Sequence, residues 1–157
     1  MDGKRKARRI TFIIGFVFAL STIVGVFSPW VSSWRGIPPY VVGTENATGW
    51  EVAMGSVEFG NLVQEQSMWP LIALAAGLLA LVICVLGAVR GSRYLGIPLM
   101  FGGILACTGA LWALGIGQAN IYIDQSPEYI TAGQGVLDCF IGGGVDLVCG
   151  IVIWFLA

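Results

Sequence analysis

Residues 68–89 read MWPLIALAAGLLALVICVLGAV, a run without one charged side chain. A hydrocarbon layer about 30 Å thick is crossed by about 20 apolar residues in a helix, so this stretch has both the length and the chemistry of a bilayer span. Pro70 falls in what would be its first turn, where the missing N–H would have had no helical partner anyway. Working outward, three more runs of the same kind appear: Ile10–Ser28, Tyr94–Gly117 and Val136–Ala157.

Composition agrees. Hydrophobic residues make up 57% of the 157 positions and charged residues 11%, well under the roughly 25% of an ordinary soluble domain. A chain of this length could not hide four such segments in a water-soluble core. The fold class expected is therefore an all-α membrane protein, a four-helix transmembrane bundle in one membrane domain spanning residues 1–157.

The first run follows Lys4, Arg5, Lys6, Arg8 and Arg9, which resembles a secretory signal. It is longer than a usual signal core and ends in Phe27-Ser28-Pro29-Trp30 without a small-x-small cleavage pattern, so it reads as a retained span. Five of the eight basic residues lie in the 1–9 tail, Arg90 and Arg93 lie in the short turn 90–93, and Arg35 stands alone in the segment 29–67. By the positive-inside rule the tail and the turn are cytoplasmic, as is the C-terminus, and the segments 29–67 and 118–135 face outward in a cell membrane. The outward segments carry Glu45, Glu51, Glu58, Glu65, Asp124 and Glu128, a face whose plainest role is to be solvated.

Ile37–Val42 and Trp50–Phe59 are rich in β-formers, and Asn120–Asp124 with Glu128–Thr131 reads as a hairpin turning through Gln125-Ser126-Pro127. An isolated hairpin is marginal, so strands from both segments are expected to share one small extracytoplasmic antiparallel β-sheet over the bundle. Trp30 and Trp69 abut spans and read as interfacial belt residues. Trp34 and Trp50 lie further along and are candidates for packing the sheet or meeting a partner. Asn46-Ala47-Thr48 is an N-glycosylation sequon, usable where the host glycosylates.

With a short basic tail, Ser28-Pro29-Trp30 directly after the first span, Gly49-Trp50 in a long β-prone first loop, a short second loop and four spans, the chain resembles the claudin-type tetraspans. The resemblance implies a four-helix bundle capped by a sheet, with lateral or cell-surface association. The cysteine pair that follows the family's Gly-Leu-Trp signature is missing, since Trp50 precedes Glu51-Val52-Ala53-Met54.

Small residues let helices approach closely in lipid, and they recur as Ser21-x-x-x-Gly25, Ala73-x-x-x-Gly77, Gly102 and Gly103 before Ala106, and Gly142-Gly143-Gly144. Three successive glycines cost roughly 2.5–3 kcal/mol of helix propensity relative to alanine. Either another backbone packs against Gly142-Gly143-Gly144, or the helix breaks there to line a cavity. Asp138 sits near the outer end of the last span, whereas Asp146 lies about 12 Å deeper at helical rise. A carboxylate at that depth costs at least ~2.5–3.5 kcal/mol and marks a buried contact or an ion or proton route. Its candidate partners are Thr108, Ser21 or Thr22, a bound cation, or a cationic residue of another subunit.

Histidine is absent, which excludes His-based metal sites and Ser-His-Asp triads within the chain. Cys84, Cys107, Cys139 and Cys149 have no metal-knuckle spacing and read as small buried hydrophobes. The expectation is a non-enzymatic structural or accessory protein without cofactor or metal. Its partners would be membrane lipids and either copies of itself or other membrane subunits, not nucleic acid. A small channel or transporter subunit using Asp146 is the alternative.

Overall fold

The computed structural model describes residues 2–37, 40–59, 62–64, 66–116, 121–123 and 126–156. Gly60, Glu65, Asn120, Asp124 and Gln125, which entered the loop readings, lie outside the described residues, as do Gly117 and Ala157 at the expected span ends.

Among the described residues, four helices are long and apolar enough to cross a membrane. They are α1 (Asp2–Phe27), α3 (Trp69–Arg90), α4 (Gly96–Ile116) and α5 (Gln134–Phe155), with a short α2 (Gly49–Met54) between the first two. Helix α1 starts far ahead of its apolar run, so the basic tail is a helical continuation of the first span. Pro70 sits at the start of α3 as expected. At its other end Gly91 adopts φ 64°, a left-handed cap in which its N–H bonds the Gly87 carbonyl at 2.7 Å. A single 3₁₀ turn, Arg93–Leu95, leads into α4, and Pro98 lies within the first turn of that helix.

Each long helix packs against two others in the ring α1-α3-α4-α5, so neighbours are antiparallel in an up-down-up-down bundle. Two apolar cores fill it. One holds Phe12, Ala19, Ala80, Ile83, Cys84, Leu99, Cys149 and Ile153; the other holds Val26, Trp30, Val52, Phe59, Ala73, Ala110, Val136 and Cys139.

The remaining segments gather at the end where α1 and α4 finish and α3 and α5 begin. Strands β1 (Pro29–Ile37), β2 (Tyr40–Thr48), β5 (Ile121–Ile123) and β6 (Ser126–Ala132) form one antiparallel sheet in the order β2-β1-β6-β5. The β1–β6 ladder, running from Val31↔Ala132 through Trp34↔Tyr129 to Arg35↔Glu128, joins the two connecting segments as anticipated. A separate pair, β3 (Val57–Phe59) and β4 (Leu62–Gln64), lies beside it.

Three local readings need correction. Ser126 and Pro127, read as part of the hairpin turn, are the first residues of β6 and pair with Ile123 and Tyr122. Trp50–Phe59 is not one β-prone run, because Thr48 and Glu51 form a capping box that starts α2. Trp30 is 2% exposed and belongs to the core instead of an interfacial belt. Chain reversal straight after α1 turns its ring inward, against the position of Gly49, where an added Cβ would stand 2.7 Å from Trp30 Cε3.

Candidate functional site: the carboxyl of Asp146 and the glycine faces around it

Helix α5 continues unbroken through Gly142-Gly143-Gly144, so close packing accounts for the glycines and a break does not. Successive residues turn by about 100°, which sends neighbouring glycines to different helices. Gly142 meets α1, where a Cβ would press on the Thr22 hydroxyl and lie 2.7 Å from the Phe18 carbonyl oxygen. Gly143 meets α4, where a Cβ would lie 2.7 Å from Ala106 Cβ and 2.9 Å from the Gly103 carbonyl oxygen. Gly103 is equally tight, its added Cβ standing 2.6 Å from the Leu147 nitrogen. Gly77 of α3 approaches Ile23 and Thr22 of α1, while Gly102 faces Ala76 and Ala80 at ordinary contact distance. Gly144 departs from the expectation: no described residue lies within 4 Å of where its Cβ would be, because its phase on the helix points away from both neighbours.

One turn beyond Gly142, Asp146 points into the bundle and is 1% exposed. It lies about 18 Å from the start of α5 at helical rise, near the middle of the helix. Its Oδ1 is buried and has no hydrogen-bond partner among the described residues. Two of the hydroxyls that sequence offered donate to carbonyls of their own helices: Thr22 Oγ1 to Phe18 at 3.3 Å and Thr108 Oγ1 to Ile104 at 2.8 Å. Space for the carboxyl comes from α1, where a Cβ on Gly15 would stand 3.3 Å from Asp146 Oδ1 and 2.9 Å from Cys84 Sγ. The chamber is thus walled by Gly15 of α1, Cys84 of α3, Leu99 of α4 and Asp146 of α5.

Gly15 and Cys84 were not singled out as site residues from sequence. The available signal was the small-residue pair Gly15-x-x-x-Ala19. Near the sheet end, Cys139 Sγ donates to the Thr22 carbonyl at 3.3 Å and Cys107 Sγ contacts the Phe140 carbonyl at 3.6 Å. All four cysteines are free thiols. Among the described residues, no three His, Cys, Asp or Glu side chains come together to hold a metal ion.

The other candidate residues lie apart from this chamber, at the sheet end. Trp34 packs the sheet: its ring covers Gly43 of β2 and its Nε1 donates to Thr131 Oγ1 of β6 at 2.8 Å. Trp50 on α2 is 41% exposed and stacks on Phe27, with ring centroids 5.9 Å apart. Asn46 is exposed on β2, but the third residue of its sequon is occupied. The Thr48 hydroxyl donates to Glu51 Oε2 at 2.9 Å and accepts from the Glu51 N–H at 3.2 Å, while the Thr48 N–H reaches the same carboxylate at 2.7 Å. These bonds, the backbone one foremost, hold the Glu51 carboxyl below its usual value. Asp138 accepts from Gln134 Nε2 at 3.0 Å, a helix-surface pair one turn apart.

The opposite end is basic. Arg8 donates to the Leu156 carbonyl at 3.1 Å and Arg9 to the Val89 carbonyl at 2.9 Å, so the start of α1 caps the C-terminal ends of α5 and α3. Arg93 lies over the rings of Tyr94 and Trp154, 5.0 and 5.8 Å from their centroids.

The class defined by this architecture is a tetraspan, a four-helix bundle of membrane-spanning length with a β-cap at one end. No protein-family model matches the chain, and no curated protein matches it.

Proposed function

We propose that the chain is a multi-pass integral membrane protein that acts as a non-enzymatic structural or accessory subunit, associating through its helix faces and its β-cap. In this reading both termini are cytoplasmic and the sheet faces outward in the cell membrane. The observation that carries it is the contrast between the inside and outside of the bundle. Inside, glycine-mediated contacts close the α1–α5 and α4–α5 seams. Outside, Ile13, Val17, Leu79, Val82, Phe101, Leu111, Ile141 and Val148 stay exposed on all four long helices, a surface that only lipid or another apolar helix can cover. The grouping of seven of eight basic residues at the end opposite the sheet supports the orientation. The layout that resembles claudin-type tetraspans favours lateral association between copies as the mode.

Purification in mild detergent followed by mass spectrometry of the intact particle tests this. A stable homo-oligomer or a stoichiometric membrane partner is the expected result, and a lone monomer at all protein concentrations would overturn it.

A second reading, a small channel or transporter subunit, is favoured by one observation: the buried Asp146 Oδ1, which has no hydrogen-bond partner among the described residues. Ion and proton flux into liposomes carrying the wild-type protein or Asp146→Asn decides it. Flux that disappears in the variant would move the function to this chamber.

A further inference from the structure

The bundle has an open cleft of about 490 Å³ at its basic end, lined by Gly3, Arg5, Lys6 and Arg9. That volume lies within the roughly 300–1,000 Å³ of small-molecule sites. Two of its cations are held in place by neighbouring structure. Arg9 is fixed through its bond to the Val89 carbonyl, and the aliphatic part of Arg5 lies against Gly91, whose added Cβ would stand 3.0 Å from Arg5 Cγ. Lys6 has no hydrogen bond or ion pair among the described residues. Arg5 and Arg9 are one helical turn apart, so a single anionic group can meet both, with Lys6 at its side.

What continues from the cleft selects the source of that anion. Residues 6, 10, 13 and 17 follow the spacing i, i+4, i+7, i+11 and share one face of α1. Below Lys6 that face is entirely aliphatic and exposed: Ile10 is 50%, Ile13 55% and Val17 57% accessible. At 1.5 Å per residue the stripe from Ile10 to Val17 runs about 10 Å down the helix, parallel to where an acyl chain would lie. On α3, whose Val89 carbonyl anchors Arg9, Val85 and Val89 are exposed as well. A free phosphate would use the cations and leave the stripe bare, whereas a phospholipid covers both.

The geometry points to a binding site for one anionic phospholipid, its phosphate held by Arg5, Lys6 and Arg9 and an acyl chain laid along Ile10, Ile13 and Val17. The site rests on the membrane reading proposed above. It predicts a preference for lipids with net negative headgroups, because three cations face a phosphate whose charge a choline group would cancel.

Native mass spectrometry of the full chain in detergent, supplemented with phosphatidylglycerol, phosphatidylcholine or glycerol 1-phosphate, tests the site. Phosphatidylglycerol should be retained about tenfold more than phosphatidylcholine, and Arg5→Gln with Lys6→Gln should bring the two to parity. Neither change removes a hydrogen bond within the described residues, and an unchanged thermal midpoint will confirm a folded variant. Ile13→Thr with Val17→Thr should weaken phosphatidylglycerol retention while leaving weak glycerol 1-phosphate binding as it was. Equal retention of the two lipids by the wild type would overturn the site. So would displacement of phosphatidylglycerol by an equal concentration of glycerol 1-phosphate, which would mark a plain phosphate pocket. Retention of neither lipid would overturn the membrane reading, and this site with it.

Discussion

Gly103 of α4 and Gly143 of α5 touch backbone to backbone: a methyl group added to Gly103 would sit 2.5 Å from the Gly143 carbonyl oxygen, and one added to Gly143 would sit 2.9 Å from that of Gly103. Neither obstacle is a side chain that could swing away. Gly103→Ala and Gly143→Ala should each destabilise the bundle by about 1–3 kcal/mol through overpacking. Gly144→Ala, one residue on and facing open space, should instead stabilise it by up to about 1 kcal/mol of helix propensity. Unfolding midpoints in detergent will separate the three. A Gly144→Ala variant as damaged as Gly143→Ala would mean that the phase of α5 is wrong.

The chamber at Asp146 makes a coupled prediction. Gly15→Ala should cost about 1–3 kcal/mol, since its Cβ would stand 2.9 Å from Cys84 Sγ and 3.3 Å from Asp146 Oδ1. Shortening the other side with Cys84→Ala should recover part of the loss in the double variant. Non-additivity of about 0.5 kcal/mol or more in a double-mutant cycle is the expected signature of the contact. Additive effects would show that Gly15 and Cys84 do not meet.

How much of this could be read from the chain alone differs by level. The long helices were legible because each apolar run exceeds what any soluble element requires, and their ends fell within two residues of those observed except at the start of α1, where the helix runs back through the basic tail to Asp2. That Gly142 and Gly143 need a reason to sit in a helix was legible too, although the sequence left close packing and a break both open. Which glycine meets which neighbour was not, because helix phase has meaning only once the ring order α1-α3-α4-α5 is known. Gly15 stayed unnoticed for the same reason. Its role depends on Asp146 approaching from 131 positions away. By contrast α2 was missed despite a plain local signal, Thr48-Gly49-Trp50-Glu51 matching the capping-box pattern, because the β-forming residues after it dominated the reading.

At the cap, the bond from Trp34 Nε1 to Thr131 Oγ1 ties β1 to β6 across the sheet. Trp34→Phe and Thr131→Val should each lower stability by about 0.5–1.5 kcal/mol, with the double variant losing less than the sum. Chemical unfolding followed by near-ultraviolet dichroism will report it. If Trp34→Phe is neutral, the ring's packing over Gly43 carries the strand alone.

Acid should loosen α2 before the long helices. Because capping holds the folded-state value of Glu51 below the unfolded one, its contribution is present above the ordinary carboxylate range and fades as pH falls through the folded value. The effect is small, as the group is solvated. The reporter is Trp50, whose stacking on Phe27 should weaken in a fluorescence titration on the acid side. Glu51→Gln should remove that transition, and Thr48→Ala should cost about 1 kcal/mol at neutral pH. A titration unchanged by Glu51→Gln would assign the acid response to another carboxyl.

The β1–β6 ladder also orders events in time. Strand β1 is made early in synthesis and β6 late, and the Trp34–Thr131 bond alone bridges 97 positions of chain. Until the last connection has emerged beside the first, β1 has only β2 to pair with, and the edge that β6 will occupy stays open. A nascent chain stalled after α4 would therefore display an unpaired strand edge of the kind that recruits chaperones or aggregates. Closure of the cap therefore waits on residues from both halves of the molecule.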